Sequence, residues 1–350
     1  MKNRLAYLAF VTVSFLLLAE ISLRVLGWNS TYMERSGSWA GQVITPIAGS
    51  RPIGKFHIYN RHSSSLFSTG EFQYKYDINA LGVRENKDTF LQSPDSTYRI
   101  LTLGDSFTEG VGADYPYSWP RVLETSLNEA GFRTEVFNAG VSGSDIWYLY
   151  AHLKEELIDL KPDLIIVVLN GSDMSDFIIR GGMERFGKDG QVSFRKLPWW
   201  EPFYRISHLV RAIAHARGYN HLLVQEKAMD AYIASFKQEA QAVTDNFYQL
   251  ATAHGYQVFF IAQPVPAQVQ YGISEGVYGY RAISETAAYW NSKGFAYIDL
   301  WDGMNENIGK DVSFKYSWPI DQHFNADGYS IMGKLIADSL KQKPELLTRK

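Results

Sequence analysis

A serine that could act as a nucleophile lies in the segment Gly104-Asp-Ser-Phe-Thr-Glu-Gly110. The apolar residues before it predict a buried strand that ends at Gly104, followed by a turn into a helix. This turn would place the Ser106 hydroxyl where open α/β sheets bind their ligands, beside a helix N-terminus that favours negative charge. A simpler interpretation is that Asp105 or Ser106 only caps the helix, as these residue types most often do.

A base for this serine is available near the other end of the chain, in Pro319-Ile-Asp-Gln-His-Phe-Asn-Ala-Asp-Gly-Tyr329. A serine hydroxyl is a weak nucleophile until a histidine accepts its proton, and the histidine needs an acceptor on its second ring nitrogen. One residue separates Asp321 from His323, so both side chains would project to the same side of an extended segment. A single Asp-x-His pair is more often an ordinary loop, so the hypothesis depends on the rest of the pattern.

Two further polar turns follow predicted strands. The strand at residues 134–138 leads into a glycine-rich turn that contains Gly143, and the strand at residues 163–169 leads into Asn170-Gly-Ser-Asp173. The carboxyl ends of parallel strands meet at one edge of a sheet. The sequence therefore predicts that Ser106, Gly143 and Ser172 lie at the same edge.

The elements that must position these residues alternate between strand and helix from Tyr98 onward. Two strands are predicted in addition to the three described above, at residues 256–262 and 295–300. Helices are predicted at residues 119–127, 145–160, 225–254 and 276–293, and a final helix begins at residue 325. The apolar run at residues 163–169 does not alternate with polar residues, which is typical of a parallel strand covered on both faces. This order predicts a doubly wound α/β domain with helices on both faces of a parallel sheet.

Over roughly residues 98–340 the sequence resembles the SGNH (GDSL-type) hydrolase superfamily of esterases and acyltransferases. Three motifs carry the resemblance: G-D-S-F-T-E-G at residues 104–110, N-A-G-V-S-G at 138–143 and D-Q-H-F-N-A-D-G-Y at 321–329. The resemblance implies a flavodoxin-like sheet of about five parallel strands, with Ser106 as nucleophile, His323 as base and Asp321 as acid. It also implies that the backbone N–H groups of Ser106 and Gly143 form part of an oxyanion hole.

The turn Asn170-Gly-Ser-Asp173, which corresponds to the third conserved block of the family and is here called the third block, departs from the family pattern. Members usually carry G-x-N-D, in which the asparagine side chain donates the last oxyanion hydrogen bond, whereas this chain has Ser172 in that place. Losing one such donor typically costs about 10²–10³ in turnover. Three alternatives stay open: the Ser172 hydroxyl suffices, Asn170 substitutes by a local shift, or activity is weak or directed at an unusual acyl group.

The N-terminal segment, residues 1–28, begins with Lys2 and Arg4 and continues as an apolar run. The basic residues predict a cytoplasmic N-terminus and an extracytoplasmic remainder, periplasmic or extracellular. A small-x-small cleavage site is not evident, and the apolar run extends to about the 20 residues that a membrane span requires if Glu20 and Arg24 reach the interface. An uncleaved signal anchor is therefore favoured over a cleaved signal peptide.

Residues 29–95 are interpreted as a linker and a small β-rich appendage, with a turn at residues 79–84 that approaches the site. Residues 96–345 would form the hydrolase-like domain, interrupted by an insertion at about residues 176–222. The insertion contains an aromatic cluster at residues 199–204, which is interpreted as a packed lid, a sugar-stacking surface or a membrane-facing patch.

Composition excludes several function classes. The net charge of −3 gives no basic surface for nucleic acid, and the lack of cysteine removes disulfides, thiolate metal sites and a cysteine nucleophile. The three histidines at positions 208, 215 and 221 lack carboxylates at ligand spacing and are interpreted as a solvated helix face, so no metal or cofactor is predicted. Glu109 and Asp114 are interpreted as helix-start or loop acids.

Two functions are compatible with these features. The first is a membrane-tethered enzyme that acylates Ser106 and passes the acyl group to water, as an esterase, or to a carbohydrate hydroxyl, as an O-acyltransferase. Its substrate would be an acyl or acetyl ester, with cell-surface or exported glycans suggested by family analogy. The second is a catalytically impaired module that binds glycans or assists envelope assembly, which the altered third block favours.

Overall fold

The computed structural model describes residues 2–28, 50–53, 56–90, 97–188, 191–220, 222–271, 278–309 and 315–349. Most of the predicted linker, residues 29–49, lies outside the described residues, as do residues 91–96 and His221.

The central sheet contains five parallel strands, β5 Tyr98–Leu103, β6 Thr134–Asn138, β7 Leu164–Asn170, β8 Gln257–Gln263 and β9 Tyr297–Asp299. Their order in the sheet is β6-β5-β7-β8-β9. The order runs outward in both directions from the first strand of the sheet, as in flavodoxin-like doubly wound folds. The predicted five-stranded α/β fold is confirmed.

Helices cover both faces of this sheet, and one further helix precedes it in the chain. In chain order they are α1 Lys2–Val25, α2 Ser106–Glu109, α3 Trp119–Glu129, α4 Ile146–His152, α5 Gly171–Arg180, α6 Glu201–Ile206, α7 His208–Ala216, α8 Met229–Ala253, α9 Pro266–Tyr271, α10 Tyr278–Lys293, α11 Trp301–Ile308 and α12 Ala326–Lys341. The sequence did not predict α5, α9 or α11. Because α5 is regular to Arg180, the irregular part of the insertion begins after it.

The sheet separates two apolar cores. Along β7, Ile165, Val167 and Leu169 contribute to one core, whereas Leu164, Ile166 and Val168 contribute to the other. Helices α4, α5, α8 and α10 cover the first face, and α3, α11 and α12 cover the second. Burial on both faces explains why the strand sequence is uniformly apolar.

Two antiparallel hairpins precede the sheet. They pair β1 (Ser50–Ile53) with β2 (Phe56–Tyr59) and β3 (Ser63–Ser68) with β4 (Gln73–Ile78). Tyr59, Tyr74 and Tyr76 from these hairpins are buried in the first core, so the hairpins pack as part of the domain. The turn after β4 brings Arg84 to the loop behind the candidate nucleophile, where its guanidinium donates to the carbonyls of Gly110 and Ala113 at 2.8 Å each.

The N-terminal helix α1 is apolar on all sides. Its segment Arg4–Val25 has a mean hydropathy of 2.0, and none of it is buried inside the protein. Among the described residues it is the one helix that is long and apolar enough to cross a membrane. These properties fit a membrane anchor and also a signal sequence.

Candidate active site

The turn after β5 exposes Ser106 while its neighbour performs the capping. Asp105 Oδ1 accepts a hydrogen bond from the Phe107 N–H at 3.0 Å, so Asp105 is the N-cap of α2 and Ser106 is the first helical residue. Gly104 has no room for a side chain, because a Cβ there would lie 2.0 Å from Thr108 Oγ1. The close turn leaves the Ser106 hydroxyl partly exposed at the carboxyl edge of the sheet.

Ser106 lies within hydrogen-bonding distance of His323, 217 positions later in the chain. Ser106 Oγ and His323 Nε2 are 2.7 Å apart, and His323 Nδ1 lies 2.5 Å from Asp321 Oδ1. With the neutral imidazole protonated on Nδ1, the ring donates to the carboxylate and accepts from the serine hydroxyl. The three side chains that the sequence selected are thus brought together in one chain of hydrogen bonds.

The carboxylate controls the protonation of the histidine. Burial alone would lower the pKa of His323, but the hydrogen bond from the ring to Asp321 and the charges of Asp321, Asp105 and Glu109 outweigh it and raise that pKa above 6.5. Burial opposes ionisation of Asp321 as well, yet its hydrogen bond with His323 leaves its pKa below the ordinary value. The pair therefore favours a protonated ring beside an ionised carboxylate.

Gly143 follows β6 in a loop that packs against the serine turn. The Val141 N–H donates to the Gly104 carbonyl at 3.0 Å, and Arg180 donates to the Gly143 carbonyl. Gly143 has φ of +71°, a conformation that favours glycine. In the described part of the chain neither the Ser106 N–H nor the Gly143 N–H is paired with a protein acceptor, so both are available to a ligand oxygen.

The third block holds its polar atoms in protein contacts. The Ser172 hydroxyl lies 2.5 Å from Asp105 Oδ2 and 2.5 Å from Asn170 Oδ1. Asn170 caps α5 by accepting from the Ser172 N–H at 2.8 Å, and its Nδ2 is buried without a hydrogen-bond partner. Since the carboxylate attracts the hydroxyl proton, the Ser172 hydroxyl does not present a free donor in this conformation, whereas the Asn170 amide nitrogen is a donor without a partner.

Glu109 has a role that the sequence interpretation missed. It is fully buried and accepts from the hydroxyls of Tyr59 at 2.8 Å and Tyr76 at 2.6 Å and from the Ser142 N–H at 2.7 Å. It lies in the first turn of α2, in agreement with the helix-start interpretation, and it is also a buried acceptor that ties both hairpins to the residue before Gly143. Its position three residues after Ser106 was visible, whereas its tyrosine partners lie in a segment with no recognisable motif.

Glu71 is a second residue that the sequence did not single out. Its carboxylate accepts from the backbone N–H of Ile320 at 3.0 Å and of Asp321 at 2.7 Å. The neighbouring Phe72 ring packs on Trp318, with centroids 5.2 Å apart, and Trp318 Nε1 donates to the Gly112 carbonyl at 2.7 Å. The appendage thus contacts the loop that carries Asp321 and His323.

The structure corrects the interpretation of His208 and His215 as part of a solvated helix face. His208 is completely buried at the start of α7, so it does not belong to a solvated face, while His215 is half-buried beside Tyr204. Among the described residues no group of three His, Asp or Glu side chains is arranged to hold a metal ion.

Comparison with known proteins gives a family match over most of the domain. The sequence profile of the GDSL-like lipase/acylhydrolase family matches residues 102–331. The chain is 32% identical over 74 residues to esterase TesA of Pseudomonas aeruginosa and 33% identical over 75 residues to an arylesterase of Vibrio mimicus. Each alignment covers 21% of this chain and only 37% and 38% of those relatives.

Among solved structures, a lipase/acylhydrolase from Enterococcus faecalis is similar, with 16% identity and a TM-score of 0.44. That match covers 72% of this chain and 98% of the other.

Proposed function

The chain belongs to the GDSL-like lipase/acylhydrolase family, and we propose that it is a serine hydrolase that cleaves carboxylic esters through an acyl-enzyme on Ser106. The observation that carries the proposal is the unbroken hydrogen-bond chain from Ser106 Oγ to His323 at 2.7 Å and on to Asp321 at 2.5 Å. A hydroxyl, a base and an acid in this order are what nucleophilic acyl transfer requires.

In the first half of the proposed reaction, His323 Nε2 accepts the Ser106 proton as Oγ attacks the ester carbonyl carbon. The carbonyl oxygen becomes an anion, and the unpaired N–H groups of Ser106 and Gly143 donate to it. The protonated imidazole, stabilised by Asp321, then gives its proton to the departing alkoxide. The C–O bond to the alcohol breaks and an acyl group remains on Ser106.

In the second half, His323 accepts a proton from the incoming hydroxyl, which attacks the acyl-enzyme, and returns it to Ser106 Oγ. Water as the acceptor releases a carboxylic acid and makes the protein an esterase. A carbohydrate hydroxyl would make it an O-acyltransferase with the same residues. We propose short acyl esters, acetyl above all, as substrates, with glycan esters supported by family analogy alone.

The proposed location is the extracytoplasmic side of a membrane, with α1 as a signal anchor. Two basic residues at its N-terminal end, Lys2 and Arg4, support a cytoplasmic start by the positive-inside bias. Its apolar surface, none of which is buried inside the protein, supports a lipid environment.

One observation favours a second candidate, a glycan-binding or assembly module with little turnover. The Ser172 hydroxyl, which takes the place of the family's third oxyanion donor, lies 2.5 Å from the Asp105 carboxylate and donates to it instead of to a substrate oxygen. This alternative predicts a site that binds esters without cleaving them.

The full chain, purified in a mild detergent, would be assayed on p-nitrophenyl acetate beside its Ser106→Ala variant. We expect turnover that falls by about 10⁴–10⁶ in the variant, and an acetyl adduct on the Ser106 peptide by mass spectrometry after rapid quenching. Binding of acetylated oligosaccharide without turnover of any short ester would favour the second candidate. Equal turnover by both proteins would rule out Ser106 as the nucleophile.

A further inference from the structure

The C-terminal part of α1 is attached to the insertion because Glu20 caps the start of helix α7. Glu20 Oε2 accepts from the Leu209 N–H and from Ser207 Oγ, both at 2.8 Å, and Glu20 Oε1 accepts from the His208 N–H at 3.0 Å. The first N–H groups of a helix have no partner within that helix. A carboxylate from the apolar N-terminal helix therefore satisfies the donors that begin α7.

Further contacts continue this attachment toward the end of the apolar segment. Arg24 pairs with Glu20 and donates to the Ile206 carbonyl, while the Trp28 carbonyl accepts from His208 Nδ1 at 2.8 Å. The Trp28 ring meets His215 edge-on, with centroids 6.2 Å apart. Removal of residues 1–28 after export would take the acceptors away from the start of α7. These contacts fit a helix that stays on the folded protein.

We propose that α1 is retained and that the insertion helices α6 and α7, docked on it, form a second contact with the phospholipid bilayer. The proposal deepens the membrane tether of the proposed function and rests on it. The contact surface, here called the insertion patch, consists of the exposed apolar side chains of Trp199, Phe203, Ile206 and Ile213, which are 83%, 53%, 66% and 47% accessible.

The insertion patch meets the anchor at Ile206. Ile206 and Leu209 line a groove of about 370 Å³ whose other wall is Val13, Leu16 and Leu17 of α1. Large exposed apolar side chains in a cluster mark a surface with an apolar partner. The adjoining helix α1 is itself the candidate membrane span. The patch would therefore lie beside the bilayer, and lipid is the apolar partner we propose for it.

The docking site lies beside the apolar segment of α1. Glu20 precedes the end of α1 at Val25 by five residues, which at 1.5 Å per residue is about 7.5 Å along the axis, and Val13 at the far end of the groove is about 18 Å from Val25. Ile206, which lines the same groove, therefore lies at the level of the apolar segment. Arg205 and Arg24, whose side chains are 38% and 49% accessible, lie near this groove and pair with Glu201 and Glu20.

The chain has no cysteine, so single cysteine substitutions give unambiguous spin labels. The full chain would be reconstituted in nanodiscs of phosphatidylethanolamine and phosphatidylglycerol with a label at Phe203→Cys or Ile206→Cys. Thr252→Cys on α8, also exposed, is the control. We expect labels at 203 and 206 to collide more with oxygen than with a water-soluble nickel chelate, and the label at 252 to show the reverse.

Labels at 203 and 206 that behave like the label at 252 would overturn the bilayer contact. Intact mass spectrometry of the membrane-extracted protein tests retention, and a mass that lacks residues 1–28 would overturn that half of the proposal. Ester turnover of the same labelled preparations separates the two proposals. Water-exposed labels with serine-dependent turnover contradict only the insertion patch, whereas lipid contact without turnover contradicts only the esterase.

Discussion

The Glu71 carboxylate accepts a 2.7 Å hydrogen bond from the backbone N–H of Asp321, 250 positions further along the chain. Glu71 belongs to the N-terminal appendage, outside residues 102–331 that match the family, yet it holds the loop that supplies the proposed acid and base. The appendage therefore contributes to the geometry of the site without touching the reacting atoms.

Glu71→Ala should lower kcat by about 5–30-fold, because two backbone N–H groups lose a charged acceptor worth about 1–2 kcal/mol. Glu71→Gln, which keeps one acceptor oxygen, should recover part of that loss. As a positioning effect, the change should appear in kcat for p-nitrophenyl acetate with little change in KM. Asp77→Ala, on the exposed part of the same hairpin, is the matched control, and an equal loss in that variant would contradict a specific role for Glu71.

The pH dependence of turnover should follow the protonation of His323. Its pKa is raised above 6.5, mainly because Asp321 outweighs the effect of burial, and only the neutral ring can accept the Ser106 proton. Thus kcat/KM should fall as the pH drops through a value above 6.5. Asp321→Asn should move this acid limb to lower pH and reduce kcat by about 10⁴. The measurement is kcat/KM from pH 5 to 9, and an acid limb unmoved in Asp321→Asn would contradict the pairing.

Much of the fold and the three proposed catalytic side chains could be predicted because their signals are local. Strand β7 is apolar at nearly every position, and Ser106, Asp321 and His323 lie in short motifs. The supporting residues Glu71 and Glu109 could not be predicted in the same way. Their partners are backbone groups and tyrosine hydroxyls far away in the sequence, and neither the spacing nor the residue type reveals such contacts.

Glu109→Gln should destabilise the protein and disturb the Gly143 loop. An amide nitrogen cannot accept from a tyrosine hydroxyl or from the Ser142 N–H, so a buried donor would lose its partner at a cost of about 1–3 kcal/mol. For a domain of this size that corresponds to a decrease in Tm of roughly 2–12 °C. Calorimetry measures the change, and combination with Tyr76→Phe should be less than additive because Tyr76 donates to Glu109. Full additivity would show that the two side chains are not coupled.

Substitutions at Ser172 test whether its hydroxyl contributes to the oxyanion hole. Because the hydroxyl lies 2.5 Å from the Asp105 carboxylate, Ser172→Ala should lower kcat by less than about 10-fold, whereas removal of a true oxyanion donor costs about 10²–10³. Ser172→Asn places a side-chain amide where the family pattern has one and should raise kcat, with Ser175→Asn on the same helix as the control. Burst kinetics with p-nitrophenyl acetate would separate acylation from deacylation. A loss of 10²–10³ in Ser172→Ala would mean that the hydroxyl leaves Asp105 and donates to the substrate during the reaction.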